Sequence, residues 1–182
     1  LKHFFIGKPD TPTLLYLHIP FCATSCYFCC CHYFPIGKNI DDKTYEKHFG
    51  AYMPYLHKEI DLFIEFCKAN KITPNIHELH FGGGTPTLLK NDDFKKLIDK
   101  IKLFVSIPSL REFALEIDPR TVHSKELQFY HACGVNRISF GVQDIDPIVM
   151  RAVNRIQPPD LTEAILTPKN RAAGNVTMLP TS

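Results

Sequence analysis

Apolar runs rich in aromatic and β-branched residues recur at 14–19, 76–81, 112–118 and 136–140, and each reads as a strand buried on at least one face. Between them the apolar spacing changes to that of helices. The segment 42–70 carries Tyr45, Phe49, Tyr52 and Tyr55, then Ile60, Phe63, Ile64 and Cys67, with Pro54 expected to kink or divide it. A second helix is predicted from an N-cap at Asn91 through Phe94, Leu97, Ile98, Ile101 and Phe104; a third covers 124–132 and stops at Gly134. Strands joined by such crossovers are parallel. Parallel βα units build either an open doubly wound sheet or a barrel, and both gather ligands at the carboxyl ends of the strands.

With 182 residues, 45% of them apolar, the chain has the length of a single domain. A formal net charge of +2 supplies no strong field for nucleic acid or an anionic membrane, so neither is expected as a partner. There is no run of eighteen apolar residues and no leader-like segment, and a cytoplasmic location is the working expectation. Of seven cysteines, five crowd into ten residues: Cys22, Cys26, Cys29, Cys30 and Cys31. Adjacent cysteines pair poorly with one another, which favours reduced, metal-bound thiols over a disulfide framework. Cys67 and Cys133 lie in helical stretches and read as small buried hydrophobes.

The strand ends carry the candidate chemistry. Cys22, Cys26 and Cys29 follow the first strand with the spacing C-x3-C-x2-C, three thiolates for one cuboidal cluster whose fourth iron keeps an open position. A closed four-cysteine zinc site is the alternative, although two separated C-x2-C pairs are absent. The second strand ends in Gly82, Gly83, Gly84 and Thr85, where backbone without Cβ atoms can approach a polar ligand; a glycine run alone is more often a turn. On the third, Glu116 and Asp118 project to the same side, so that a carboxylate can reach ribose hydroxyls, unless both are solvated charges at a strand end. After the fourth strand, Gln143 offers an amide and Arg155 a guanidinium able to clamp a carboxylate.

With residues 16–21 before the cysteine loop and Tyr27 and Phe28 within it, the chain resembles the radical S-adenosylmethionine superfamily. Within it, the chain most resembles the oxygen-independent coproporphyrinogen III oxidases, in which a further cysteine, here Cys31, follows the third. The resemblance implies a partial (β/α)6-type barrel, an α/β fold with parallel strands. It implies a [4Fe-4S] cluster on Cys22, Cys26 and Cys29, with S-adenosyl-L-methionine held by Tyr16, Phe28, Gly83, Gly84, Thr85, Glu116, Gln143 and Arg155. Phe28 is equally an ordinary core aromatic by its residue type, and Tyr16 a buried strand tyrosine. Cys30 stands where the family usually has glycine. The implied activity is oxidative decarboxylation of coproporphyrinogen III to protoporphyrinogen IX in haem synthesis, served by a low-potential electron donor. A haem-chaperone-like relative is the second reading, although such relatives commonly lack the counterpart of Cys31; an inert truncated domain is the third. The resemblance runs over 16–157, after an N-terminal extension at 1–13. It fades in a Pro- and Thr-richer, less periodic stretch at 158–182, where no Asp or Glu follows Glu163, so the chain is expected to be the amino-terminal part of such a protein or a diverged copy.

Overall fold

Thr13–Ile19 (β1) buries Leu17 and Ile19 on one side while Tyr16 and His18 point to the other, the period-two pattern expected of a strand. In the computed structural model, which describes residues 10–166 and the backbone of 175–179, β1 pairs with Ile76–Gly83. Numbered in chain order, Phe21–Cys22 is β2, Phe34–Pro35 is β3, Ile76–Gly83 is β4, Glu112–Glu116 is β5, Arg137–Gly141 is β6 and Asn175–Leu179 is β7. The main sheet runs β1-β4-β5-β6-β7 with every pair parallel. A doubly wound sheet reverses direction at a switch point. Here the order never reverses, and right-handed crossovers then put the helices on one face of a partial barrel.

The helices are α1 (Asp42–Tyr45), α2 (Ala51–Ala69), α3 (Asn91–Ile101), α4 (Ser124–Ala132), α5 (Pro147–Ala152) and α6 (Pro159–Ile165). Between α1 and α2 the chain makes a π-helical turn at Glu46–Gly50. Pro54 lies four residues beyond Gly50, in the first turn of α2, and its ring cannot accept the usual approach of the Gly50 carbonyl. The expected irregularity therefore falls upstream of the proline. Helix α3 starts one residue earlier than predicted: Lys90 is the N-cap, and its N–H donates to the Tyr45 hydroxyl (3.0 Å), while Asn91 is already helical. It also ends at Ile101, short of Phe104.

The core lies between sheet and helices. Leu79, Phe81, Phe113, Leu115 and Phe140 meet Leu56 and Ile60 of α2, Phe94 and Leu97 of α3, and Tyr130 of α4 in one cluster. Phe94 is central, with ring centroids 5.0 Å from both Phe81 and Tyr130. The opposite face is polar. Register places Tyr16, His80, Ala114 and Arg137 in one row; one row nearer the carboxyl ends, His18 pairs with Gly82 and Glu116 with Ser139. The tail contributes α6 and β7, a fifth parallel strand not apparent from its periodicity. Residues 1–9, 167–174 and 180–182 lie outside the described residues. Among the described residues, no helix is long and apolar enough to cross a membrane.

Candidate functional site

Cys22 sits at the end of β2, and the loop that follows is closed by the short parallel pair β2–β3, in which Phe34 N–H donates to Pro20 O (2.7 Å) and Ile36 N–H to Cys22 O (2.8 Å). The glycine turn after β4 is strapped to the same place: Gly84 N–H reaches Ile19 O and Thr85 N–H reaches Phe21 O, both at 2.8 Å. A Cβ on Gly84 would meet Phe21 O at 2.7 Å and Cys22 Sγ at 3.0 Å, so only glycine allows this approach. Gly83 adopts φ +113, a conformation that L side chains rarely take.

These loops enclose a cavity of about 320 Å³ at the carboxyl ends of the strands, lined by Cys22, Cys26, Cys29, Phe28, Gly83, Gly84, Thr85, Glu116, Gln143 and Arg155. Every residue proposed from the sequence to hold the cluster or S-adenosyl-L-methionine lies on that wall except Tyr16, whose ring instead packs edge-on against His80 at 5.6 Å. Phe28 is 45% exposed and Tyr16 46%, so neither is the buried aromatic that residue type allowed. Cys31 also lines the cavity, its thiol pushed up to about 11 by desolvation and by the neighbouring Cys29; Cys30, exposed like Cys31, does not line it.

The two carboxylates are set apart by their partners. Asp118 is buried, held by Arg120 Nε and Nη2 at 2.9 and 2.6 Å, with Arg155 Nη2 at 4.0 Å. Burial pushes its carboxyl up, but the bond from Arg120 and the charges of Arg155 and Arg120 outweigh that and hold it below the usual carboxylate range. It is therefore not a solvated charge. Glu116 is more open and has no arginine; it accepts from Gly83 N–H (3.1 Å) and faces His80 Nε2 at 3.3 Å. Glu116 is thus the carboxylate free to accept from ligand hydroxyls.

Arg155 is engaged internally, bonding Gln157 Oε1 (3.2 Å), Gly141 O (3.5 Å) and Cys26 Sγ (3.8 Å), which leaves little of the bidentate fork expected for a ligand carboxylate. Its segment grips the cysteine loop: Tyr27 N–H donates to Val153 O (3.0 Å), and Asn154 Nδ2 donates to Ser25 O (2.6 Å). Arg120, Ser139, Asn154 and Gln157 were not singled out from the sequence. Only Arg120 carried a signal, its spacing of two from Asp118.

Among the described residues no three His, Cys, Asp or Glu side chains converge as a single metal ion would require. The cysteines instead line a shared wall with donors aimed at sulfur, Thr85 Oγ1 at Cys22 (3.5 Å) and Arg155 Nη1 at Cys26 (3.8 Å). Burial pushes the Cys22 thiol up and the Thr85 hydroxyl acts against it. Donors of this kind favour thiolates and tune a cluster, so the residues present fit a [4Fe-4S] group with a nucleoside cofactor beside it.

An incomplete parallel barrel with a three-cysteine loop over its carboxyl end defines a class, and the pattern of the Radical SAM superfamily matches residues 16–169. The chain belongs to that superfamily. It is 40% identical over 153 residues to the oxygen-independent coproporphyrinogen III oxidase of Bradyrhizobium diazoefficiens, covering 84% of this chain and 32% of that protein. The enzyme of the same name from Pseudomonas aeruginosa is 34% identical over 164 residues, covering 87% and 33%. Among solved structures, coproporphyrinogen III oxidase (HemN) from Escherichia coli, a radical SAM enzyme, superposes with a TM-score of 0.76 at 30% identity, over 93% of this chain and 37% of that one. Elp3 of Methanocaldococcus infernus, at TM-score 0.53 and 16% identity, shares the fold alone. The chain spans about a third of the length of the curated relatives it matches.

Proposed function

We propose that this chain is the cofactor-binding part of an oxygen-independent coproporphyrinogen III oxidase, acting in the oxidative decarboxylation of coproporphyrinogen III to protoporphyrinogen IX. The observation that carries the reading is the single cavity lined by Cys22, Cys26, Cys29, the glycine turn and Glu116. A [4Fe-4S] cluster with S-adenosyl-L-methionine supplies one-electron cleavage of a sulfonium and hydrogen abstraction from an unactivated carbon. Cys22, Cys26 and Cys29 hold the cluster. Gly83, Gly84 and Thr85 present main-chain groups to the amino acid end of the cofactor, while Glu116 and Gln143 accept and donate at the nucleoside. Arg155 offsets thiolate charge at Cys26 and holds Asp118 in place. Phe28, Ile117 and Phe140 supply apolar wall that keeps water from the reacting atoms.

Anaerobic reconstitution with iron and sulfide, followed by metal analysis and low-temperature electron paramagnetic resonance, tests the reading. About four irons per chain are expected, with a signal that changes on adding S-adenosylmethionine and is lost in Cys22→Ala, Cys26→Ala or Cys29→Ala but not in Cys67→Ala. Stoichiometric zinc without iron in protein handled under strict anaerobiosis would sink it.

A further inference from the structure

We propose that His80 is a positioning residue for the nucleoside: its imidazole holds the Glu116 carboxylate in place, and Tyr16 holds the imidazole. This rests on the reading of Glu116 as a cofactor contact. His80 Nε2 is buried and makes no well-directed hydrogen bond, yet it lies 3.3 Å from Glu116 Oε1. A buried ring nitrogen without a partner is costly, and a small rotation of the carboxylate satisfies it. The other oxygen, Oε2, already accepts from Gly83 N–H at 3.1 Å. With a donor on each oxygen the carboxylate is fixed, and its remaining lone pairs are left for two hydroxyls.

The sheet explains why this histidine and no other serves. His80 of β4 lies between Tyr16 of β1 and Ala114 of β5 in one row of the polar face, and Glu116 stands two residues beyond Ala114 on the same face. Ala114, too small to intervene, leaves the diagonal from His80 to Glu116 open. Tyr16 closes the other side, its ring 78° to the imidazole plane, while its hydroxyl engages His18 Nδ1 at 3.1 Å. Tyr16, which does not line the cavity, thereby acts on it through His80.

The test uses the full chain, anaerobically reconstituted, and measures binding of S-adenosylmethionine and of its 2′,3′-dideoxyribose analogue by equilibrium dialysis. His80→Phe, which keeps a ring against Tyr16 but has no donor, and His80→Ala are each expected to weaken S-adenosylmethionine about tenfold, the worth of a hydrogen bond to a charged group. Iron content should be unchanged and the analogue should bind within twofold of wild type. His80→Gln, whose amide N–H reaches the same oxygen, should recover most of the affinity, and adding His80→Phe to Glu116→Gln should weaken binding no further. Equal affinity in wild type and both donor-less variants, or effects that multiply in the double variant, would overturn the role of His80 alone. A wild-type protein that carries its cluster and binds neither probe would overturn the cofactor reading and this inference together.

Discussion

Asp118 shows how a single buried charge is made tolerable and what its removal would do. Its carboxyl lies between Arg120 and Arg155, which hold its pKa below the ordinary value of 3.8. Asp118→Asn leaves two half-buried guanidinium groups without their counterion, and a loss of about 3 kcal/mol is expected at neutral pH. Because the folded pKa is depressed, the stabilisation is fully present above the unfolded value and is lost as pH falls through the folded one. Urea melts of wild type and Asp118→Asn between about pH 7 and about pH 2 should therefore converge only at the acid end; a gap that stays constant would assign the loss to packing. Period two put Glu116 and Asp118 on the same side of the strand, and the resemblance to the family singled out Glu116. The difference between Glu116 and Asp118 was legible only in part: Arg120 stands two positions from Asp118, whereas Arg155 arrives from 37 positions further along the chain.

Among the elements, the turn after α5 decides whether the cysteine loop has a fixed shape. Asn154 takes φ +54 and its amide donates to Ser25 O, while Val153 O receives Tyr27 N–H. Asn154→Ala removes the bond and puts a Cβ-bearing, non-amide residue in the left-handed region, a combined cost of about 2 kcal/mol; Asn154→Gly removes the bond alone. Iron release to a chelator under anaerobiosis should be fastest in Asn154→Ala, intermediate in Asn154→Gly and slowest in wild type. Equal rates in all three would mean that the thiolates alone order the loop. Four of the five strands of the main sheet and the chief helices were legible because apolar runs rich in aromatic and β-branched residues alternate with stretches of helical spacing. Strand β7 was not: unlike the equally short β5 and β6, Asn175–Leu179 holds no aromatic residue, and its neighbours are Pro- and Thr-rich. Nor could periodicity locate the π-helical turn before Pro54, since it preserves the apolar face while changing only the backbone.

At the scale of the whole molecule, the sheet is a strip rather than a closed cylinder among the described residues, with β1 and β7 at its two edges. Its polar face carries His18, His80, Glu112, Glu116 and Arg137, and an ion pair of Arg137 with Glu112 at 2.8 Å spans neighbouring strands there. In a closed barrel such a face becomes the lumen, shielded from bulk water; in a five-stranded strip it stays in contact with solvent. Binding groups on the strand ends are present in either case, so the two functions separate. The 182-residue chain alone is expected to assemble its cluster and bind S-adenosylmethionine, yet not to convert coproporphyrinogen III, because substrate would have walls on one side only and the reacting carbon would be open to water. An anaerobic incubation with a low-potential reductant, S-adenosylmethionine and coproporphyrinogen III, with chromatography of both 5′-deoxyadenosine and porphyrins, distinguishes the steps. Deoxyadenosine without protoporphyrin is the expected result. Protoporphyrin formed over many turnovers would show that the polar face carrying Arg137, Glu112 and His80 is already shielded enough for turnover.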